Sequence, residues 1–179
     1  MIIAAVRNEQ ELETALHSRV KMIFWLSPNI LTLEATVKTV HEAGKKIFLH
    51  MDLAEGLGRD KPGLQYVRQA GVDGIISTRV NIIKAAREIG LFTVQRFFIV
   101  DSQSINTTVE SIRSSRPDMV EVMPGIATKV IAYLKSSLQV PIIAGGLIET
   151  KQEVQEAMLN GATAISTGKA QLWGRMEKH

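Results

Sequence analysis

Apolar residues along this 179-residue chain fall into two alternating arrangements. Short unbroken runs include Met22-Ile23-Phe24-Trp25-Leu26, Ile47-Phe48-Leu49, Gly74-Ile75-Ile76 and Phe97-Phe98-Ile99-Val100. Runs of this length are what parallel strands covered on both faces require. Between them, apolar positions recur three or four apart, as in Ile30, Leu33, Val37, Val40 and in Ile126, Val130, Ile131, Leu134. That spacing predicts helices with one buried face. Strand starts fall near residues 2, 21, 46, 73, 92, 118, 140 and 163, about 23 residues apart on average.

Punctuation agrees with the pattern. Helical stretches end at Gly44, Gly71, Gly90 and Gly161, each followed by a new apolar run. Glycine suits the left-handed turn that ends a helix. Asn8 with Glu11, and Thr150 with Glu153, have the spacing of capping boxes, and Asp60 precedes Lys61-Pro62 as a cap ahead of an early-helix proline. Eight strand-helix phrases in one chain predict an α/β fold: a compact (β/α)8 TIM-type barrel forming a single domain over residues 1–179. An open flavodoxin-like sheet needs only about five strands. Barrels of this type usually need about 200 residues or more, so the loops must be minimal.

Composition narrows the classes. The chain is 45% hydrophobic and has no cysteine, which removes disulfide frameworks and thiolate chemistry and fits a cytoplasmic location. No apolar run approaches the ~20 residues of a membrane span, and Met1–Val6 is too short for a signal peptide, so no membrane partner is expected. The formal charge of +3 permits a nucleic-acid partner without demanding one.

In such barrels chemistry gathers where strands end. The two late segments Val140-Pro141-Ile142-Ile143-Ala144-Gly145-Gly146-Leu147 and Ala164-Ile165-Ser166-Thr167-Gly168 sit where a barrel places its phosphate-binding cup, after strands seven and eight. Gly145 and Gly146 let backbone N–H groups approach an anion, and Ser166 and Thr167 add hydroxyl donors. The same glycines also serve a tight turn. His50 and Asp52, two apart at the end of strand three, are expected on the same side, facing one cavity. Ser77, Thr78 and Arg79 end strand four and suit a polyol or an anion, although a helix-capping role explains the hydroxyls equally. Arg96 lies within an apolar run and needs an anionic partner: a ligand phosphate, Asp52 or Glu121. Glu121 is expected inside the barrel, satisfied by Arg96, His50 or a ligand hydroxyl. Gly125, after Pro124, bends strand six into its helix beside the ligand. Asp101 and Ser102 read as a loop or helix cap. Met158, Phe24, Trp25, Phe97 and Phe98 read as core, while His17, His41 and His179 receive no role.

Taken in order, His50-Met51-Asp52-Leu53 through Gly56-Leu57 and Asp60, Asp73-Gly74-Ile75-Ile76-Ser77-Thr78, Gln95-Arg96 through Asp101-Ser102, Glu121-Val122-Met123-Pro124-Gly125, Ala144-Gly145-Gly146-Leu147-Ile148, and Ser166-Thr167 to Leu172-Trp173 form a set. This set resembles the glycerol uptake operon antiterminator regulatory proteins of Gram-positive bacteria over nearly the whole chain. The resemblance implies a cytoplasmic (β/α)8 protein that binds glycerol 3-phosphate, a small phosphorylated polyol. It implies binding to leader mRNA that prevents early transcription termination of glycerol-utilisation genes. The phosphate would sit on the late glycines and Ser166-Thr167, and the glycerol hydroxyls on His50, Asp52 and Glu121. Relatives often carry lysine where this chain has Arg79 and serine where it has Gly168.

A phosphate-binding barrel is also an enzyme scaffold, so a sugar-phosphate epimerase or isomerase is the competing reading. His50-Met51-Asp52 resembles an epimerase strand with a metal-binding histidine, but no second histidine falls at a strand end, so no metal and no cofactor is expected. A metal-free version would use His50 and Glu121 as acid and base. A third reading is a barrel that serves only as a protein-interaction platform, and a homo-oligomer is compatible with any of them. No RNA-recognition signature is present, and the candidate RNA contacts are basic residues: Arg79, Lys84 and Arg87 on one helix, with Arg59 and Lys61 nearby.

Overall fold

The computed structural model describes residues 1–174; His179 lies outside the described residues. The chain runs β1 (Ile2–Val6), α1 (Glu9–Leu16), β2 (Met22–Trp25), α2 (Leu33–Glu42), β3 (Lys46–His50), α3 (Lys61–Gln69), β4 (Gly74–Ser77) and α4 (Val80–Glu88). It continues through β5 (Phe92–Phe98), α5 (Ser102–Ser115), β6 (Met119–Met123), α6 (Thr128–Ser137), β7 (Ile142–Gly145), α7 (Lys151–Leu159) and β8 (Ala164–Thr167). Single 3₁₀ turns follow β3 at Met51–Leu53 and β8 at Ala170–Leu172. All strands are parallel, each pairs with its sequence neighbour, and β8 returns to β1 through Ile3↔Ser166. The result is a closed eight-stranded (β/α)8 barrel, as the sequence pattern predicts, with every strand start within two residues of its expected position.

Pleating sends alternate residues inward and outward. One inward residue from each strand fills the barrel: Ile3, Phe24, Phe48, Ile76, Val94, Met119, Ile143 and Ala164. Gly74 is part of this fit, because a Cβ there would lie 2.4 Å from Cε1 of Phe48. The outward residues pack beneath the helices. Ile23, Ile47, Leu49 and Ile75 join Val37, Val40, Leu64 and Ile83 on one half, and Val120, Val122, Ile142 and Ile165 join Ile131, Leu134 and Ala157 on the other. Each such side chain, fully buried, stabilises the fold by about 1.5–3 kcal/mol.

Local details correct the sequence pattern in places. Ile30 and Ile126 precede α2 and α6 instead of opening them, so each sits in a strand-to-helix loop. Phe98 and Met158 are exposed, not core, whereas Phe24 and Trp25 are buried as expected. Thr150 and Glu153 form the reciprocal capping box of α7. At α1 only half of it forms: Asn8 accepts from Glu11 N, but the Glu11 carboxylate takes the N–H of Arg7, one residue earlier. Asp60 caps α3, and Asp101 caps α5 with Ser104 completing the box. Among the described residues no helix is long and apolar enough to cross a membrane.

Candidate functional site

Two residues beyond the filled layer, the next inward positions reach the C-terminal mouth. They include Ala5, Leu26, His50, Arg96, Glu121, Gly145 and Ser166. Arg96 and Glu121 are register partners on β5 and β6, and Arg96 Nε donates to Glu121 Oε2 at 2.5 Å. The second carboxylate oxygen accepts from the Ser166 hydroxyl, reaching from β8 across β7. Gly145 makes that crossing possible: a Cβ there would sit 2.5 Å from both Glu121 Oε1 and Ser166 Oγ. Glu121 is therefore satisfied by Arg96, one of its expected partners, and by Ser166, which the sequence did not indicate.

His50 is 4% exposed, and its Nδ1 has no hydrogen-bond partner among the described residues. Burial holds its pKa below the ordinary value, and Arg96 reinforces the shift. Asp52 and Glu121 pull the other way and are outweighed. The ring is neutral at physiological pH.

His50 and Asp52 are close enough to interact, but neither lines the mouth cavity between the loops after β1, β7 and β8. The strand ends at His50, and Asp52 belongs to the 3₁₀ turn, where strand alternation no longer applies. Its carboxylate accepts from Ser77 Oγ at 2.6 Å and from Thr78 N and Oγ1 at 2.8 Å each. Burial pushes this carboxyl up, but the bonds from Ser77 and Thr78 hold it below its usual range. Ser77 is the register partner of Gln95, whose side chain bonds Ser111 and Ser115 of α5, so it faces the wall of the barrel and not its mouth. Asp52 and Ser77 thus tie β3 to β4.

A cavity of about 500 Å³ opens at the mouth between the loops after β1, β7 and β8. Arg96, Glu121, Gly146, Ser166 and Thr167 line it together with Arg7, Leu147, Ile148, Glu149, Gly168 and Lys169. Gly125 stands just behind, with its N–H donating to the carbonyls of Gly145 and Gly146. A Cβ at 125 would approach Gly145 N to 2.8 Å, so only glycine permits this contact. Gly146 and Leu147 both take left-handed backbone, at φ 76° and 59°. The N–H groups of Gly146, Leu147, Ile148 and Gly168 have no hydrogen-bond partner among the described residues. Arg96 likewise keeps both Nη nitrogens unpaired. The hydroxyls of Ser166 and Thr167 differ from expectation. Ser166 donates to Glu121 and Thr167 to the carbonyl of Ile148 at 2.8 Å, so backbone N–H groups, not hydroxyls, are the free donors.

Arg7 and Lys169 are the residues that sequence reasoning missed. Arg7 had a visible signal, since it directly follows the first apolar strand run, Ile2–Val6, where a barrel places functional side chains. Lys169 follows the last strand in the same way. The basic residues singled out for RNA do not form one face. Arg59, Lys61 and Arg79 lie in the loops and helix starts at the mouth, where Arg59 donates to the carbonyl of Asp52 at 2.6 Å. Arg79 directly precedes α4 without a side-chain capping bond, Lys84 sits mid-helix, and Arg87 reaches the opposite end of the barrel, where its guanidinium bonds the carbonyl of Arg116. Among the described residues no cluster of three or more His, Asp or Glu side chains is placed to hold a metal.

The fold defines the class: a closed (β/α)8 barrel of the TIM type, with a buried ion pair at its C-terminal mouth. The sequence profile of the glycerol-3-phosphate responsive antiterminators matches residues 2–173, and the chain belongs to that family. It is 36% identical over 178 residues to YgcP of Escherichia coli K12, covering 99% of this chain and 93% of that one. The glycerol uptake operon antiterminator regulatory protein of Listeria monocytogenes superposes with a TM-score of 0.91 at 36% identity, covering 96% of this chain and 94% of the other. A glycerol uptake operon antiterminator-related protein of Thermotoga maritima gives 0.86 at 34% identity, with 96% of each chain covered. Orotidine 5′-phosphate decarboxylase of Pyrococcus horikoshii gives 0.72 at 19% identity, covering 93% of this chain and 88% of that one, and shares the fold alone.

Proposed function

We propose that this protein is a cytoplasmic regulator that binds glycerol 3-phosphate in the barrel mouth. In response it binds leader mRNA and prevents transcription termination of glycerol-utilisation genes. The observation that carries the ligand reading is the cavity itself. Four lining residues carry backbone N–H groups, and the lining residues Arg7 and Arg96 carry guanidinium nitrogens, that have no partner among the described residues. Preorganised donors of this kind, in a cavity of about the usual small-ligand size, suit a phosphate. The polyol end then lies toward His50, whose unpaired Nδ1 gains a hydroxyl partner, and toward Glu121. The mRNA reading is supported by family membership. Binding changes RNA affinity only if the ligand prefers one of two states of the protein.

Titration of the protein with glycerol 3-phosphate, glycerol and inorganic phosphate by calorimetry tests the site. Tight binding of the first and weak binding of the others is expected. Retention of leader RNA with and without glycerol 3-phosphate, at stated salt, tests the switch. An unchanged RNA affinity rules the switch out.

The unpaired His50 also favours a second reading, a metal-independent epimerase or isomerase. Against it, both Glu121 oxygens already accept hydrogen bonds, from Arg96 and Ser166, which ties the carboxylate down. Sugar-phosphate turnover that disappears in His50→Asn would establish the enzyme.

A further inference from the structure

We infer that Arg7 and Lys169 form a cationic rim that recognises the dianion of a phosphomonoester, and that Glu149 holds Lys169 until the anion displaces it; this rests on the phosphate reading above. The charged side chains lining the cup are Arg7, Arg96, Glu121, Glu149 and Lys169. Three cations face two carboxylates, and the pairing is unequal. Arg96 is matched to Glu121 in the buried interior. Lys169 Nζ meets Glu149 Oε1 at 2.9 Å on the rim, where both side chains are about half exposed, at 44% and 55%. Arg7 has no carboxylate within ion-pair distance among the described residues, and its guanidinium lies over Gly168, whose Cβ would be 3.3 Å from Nη1.

A phosphomonoester brings close to two negative charges at neutral pH. Arg7 answers one. A second cation has to be released from its carboxylate, and the two available pairs differ in cost. Freeing Arg96 would strand a buried Glu121 carboxylate, which is strongly unfavourable. Freeing Lys169 leaves Glu149 in water, and an exposed pair of this kind is weak. Lys169 is therefore the exchangeable cation. Its backbone stays fixed during the exchange, because Lys169 N is held by Thr167 Oγ1 at 3.1 Å.

Calorimetry on the full chain at low salt tests this, with sn-glycerol 3-phosphate, inorganic phosphate and the monoanion glycerate as probes. Arg7→Gln is expected to weaken glycerol 3-phosphate binding about tenfold or more and to shrink the preference for it over glycerate. Arg7→Lys, which restores the charge, should recover most of the loss. Glu149→Gln should tighten binding about two- to fivefold. Far-UV melting of each variant confirms that it folds. Wild-type affinity and anion preference in Arg7→Gln would overturn the rim, and weaker binding in Glu149→Gln would overturn the exchange, while the phosphate reading stands. If inorganic phosphate binds through Arg7 but glycerol 3-phosphate binds no tighter, the rim holds and the polyol assignment falls. Absence of binding by any phosphate probe overturns both.

Discussion

Arg96 and Glu121 show how much one residue can reveal. A charge inside an apolar strand needs a partner, so Arg96 and Glu121 each stand among the candidate partners of the other in the sequence alone. Removing one partner leaves the other buried and unmatched, and Arg96→Met is expected to cost about 3–5 kcal/mol in chemical unfolding. Gly145→Ala puts a methyl group against Glu121 and Ser166 and should destabilise by about 1–3 kcal/mol while abolishing ligand binding. His50 makes a pH prediction. Its folded pKa lies below its ordinary value of 6.5, so between the two the unfolded chain binds a proton that the folded protein refuses. Stability from this source is complete above about pH 6.5 and falls as the pH drops below it. Urea unfolding at about pH 7.5 and about pH 5.5 should show a smaller difference in His50→Asn than in the wild type. Asp52, also held low, loses its contribution only at more acid pH and leaves that window clear. Residues failed to announce themselves where strand geometry stops. Asp52 and Ser77 are ligand-like in type, but the 3₁₀ turn after β3 and the outward register of β4 commit them to each other. Arg7 was marked only by its place directly after the first apolar run, and it takes the closed ring to bring it beside β8.

At the scale of elements, strands were more legible than helix starts. An unbroken apolar run has sharp edges, whereas an apolar residue at helical spacing can belong to the loop ahead of the helix. Ile30 and Ile126 do so: both lie in the loops that precede α2 and α6, Ile30 packed on the core and Ile126 exposed. Caps locate the start better, because they rest on specific hydrogen bonds. Thr150→Ala removes half of the box that opens α7, directly behind the cup loop. It should cost about 1 kcal/mol in thermal or chemical unfolding. The helix α4 spans the height of the barrel and carries Arg79 and Arg87 to opposite ends, so basic residues close in sequence are spread along it.

For the molecule as a whole, closure was readable from the count of strand-helix phrases, and the family from the motifs at their ends. Apart from Glu121, the contents of the barrel were not assigned in advance, because an apolar strand does not declare which alternate residue points inward until its register is known. That interior is a layer of buried apolar side chains, one from each strand. Such a layer transmits little motion along the axis, since close-packed interiors resist rearrangement. Hydrogen exchange with and without glycerol 3-phosphate should therefore change in the loops after β1, β7 and β8 and stay constant at the Phe92 and Lys46 end. Whatever macromolecule senses an occupied cup has to feel it around the circumference of that one end, as a hand feels a lid and not the base of the jar.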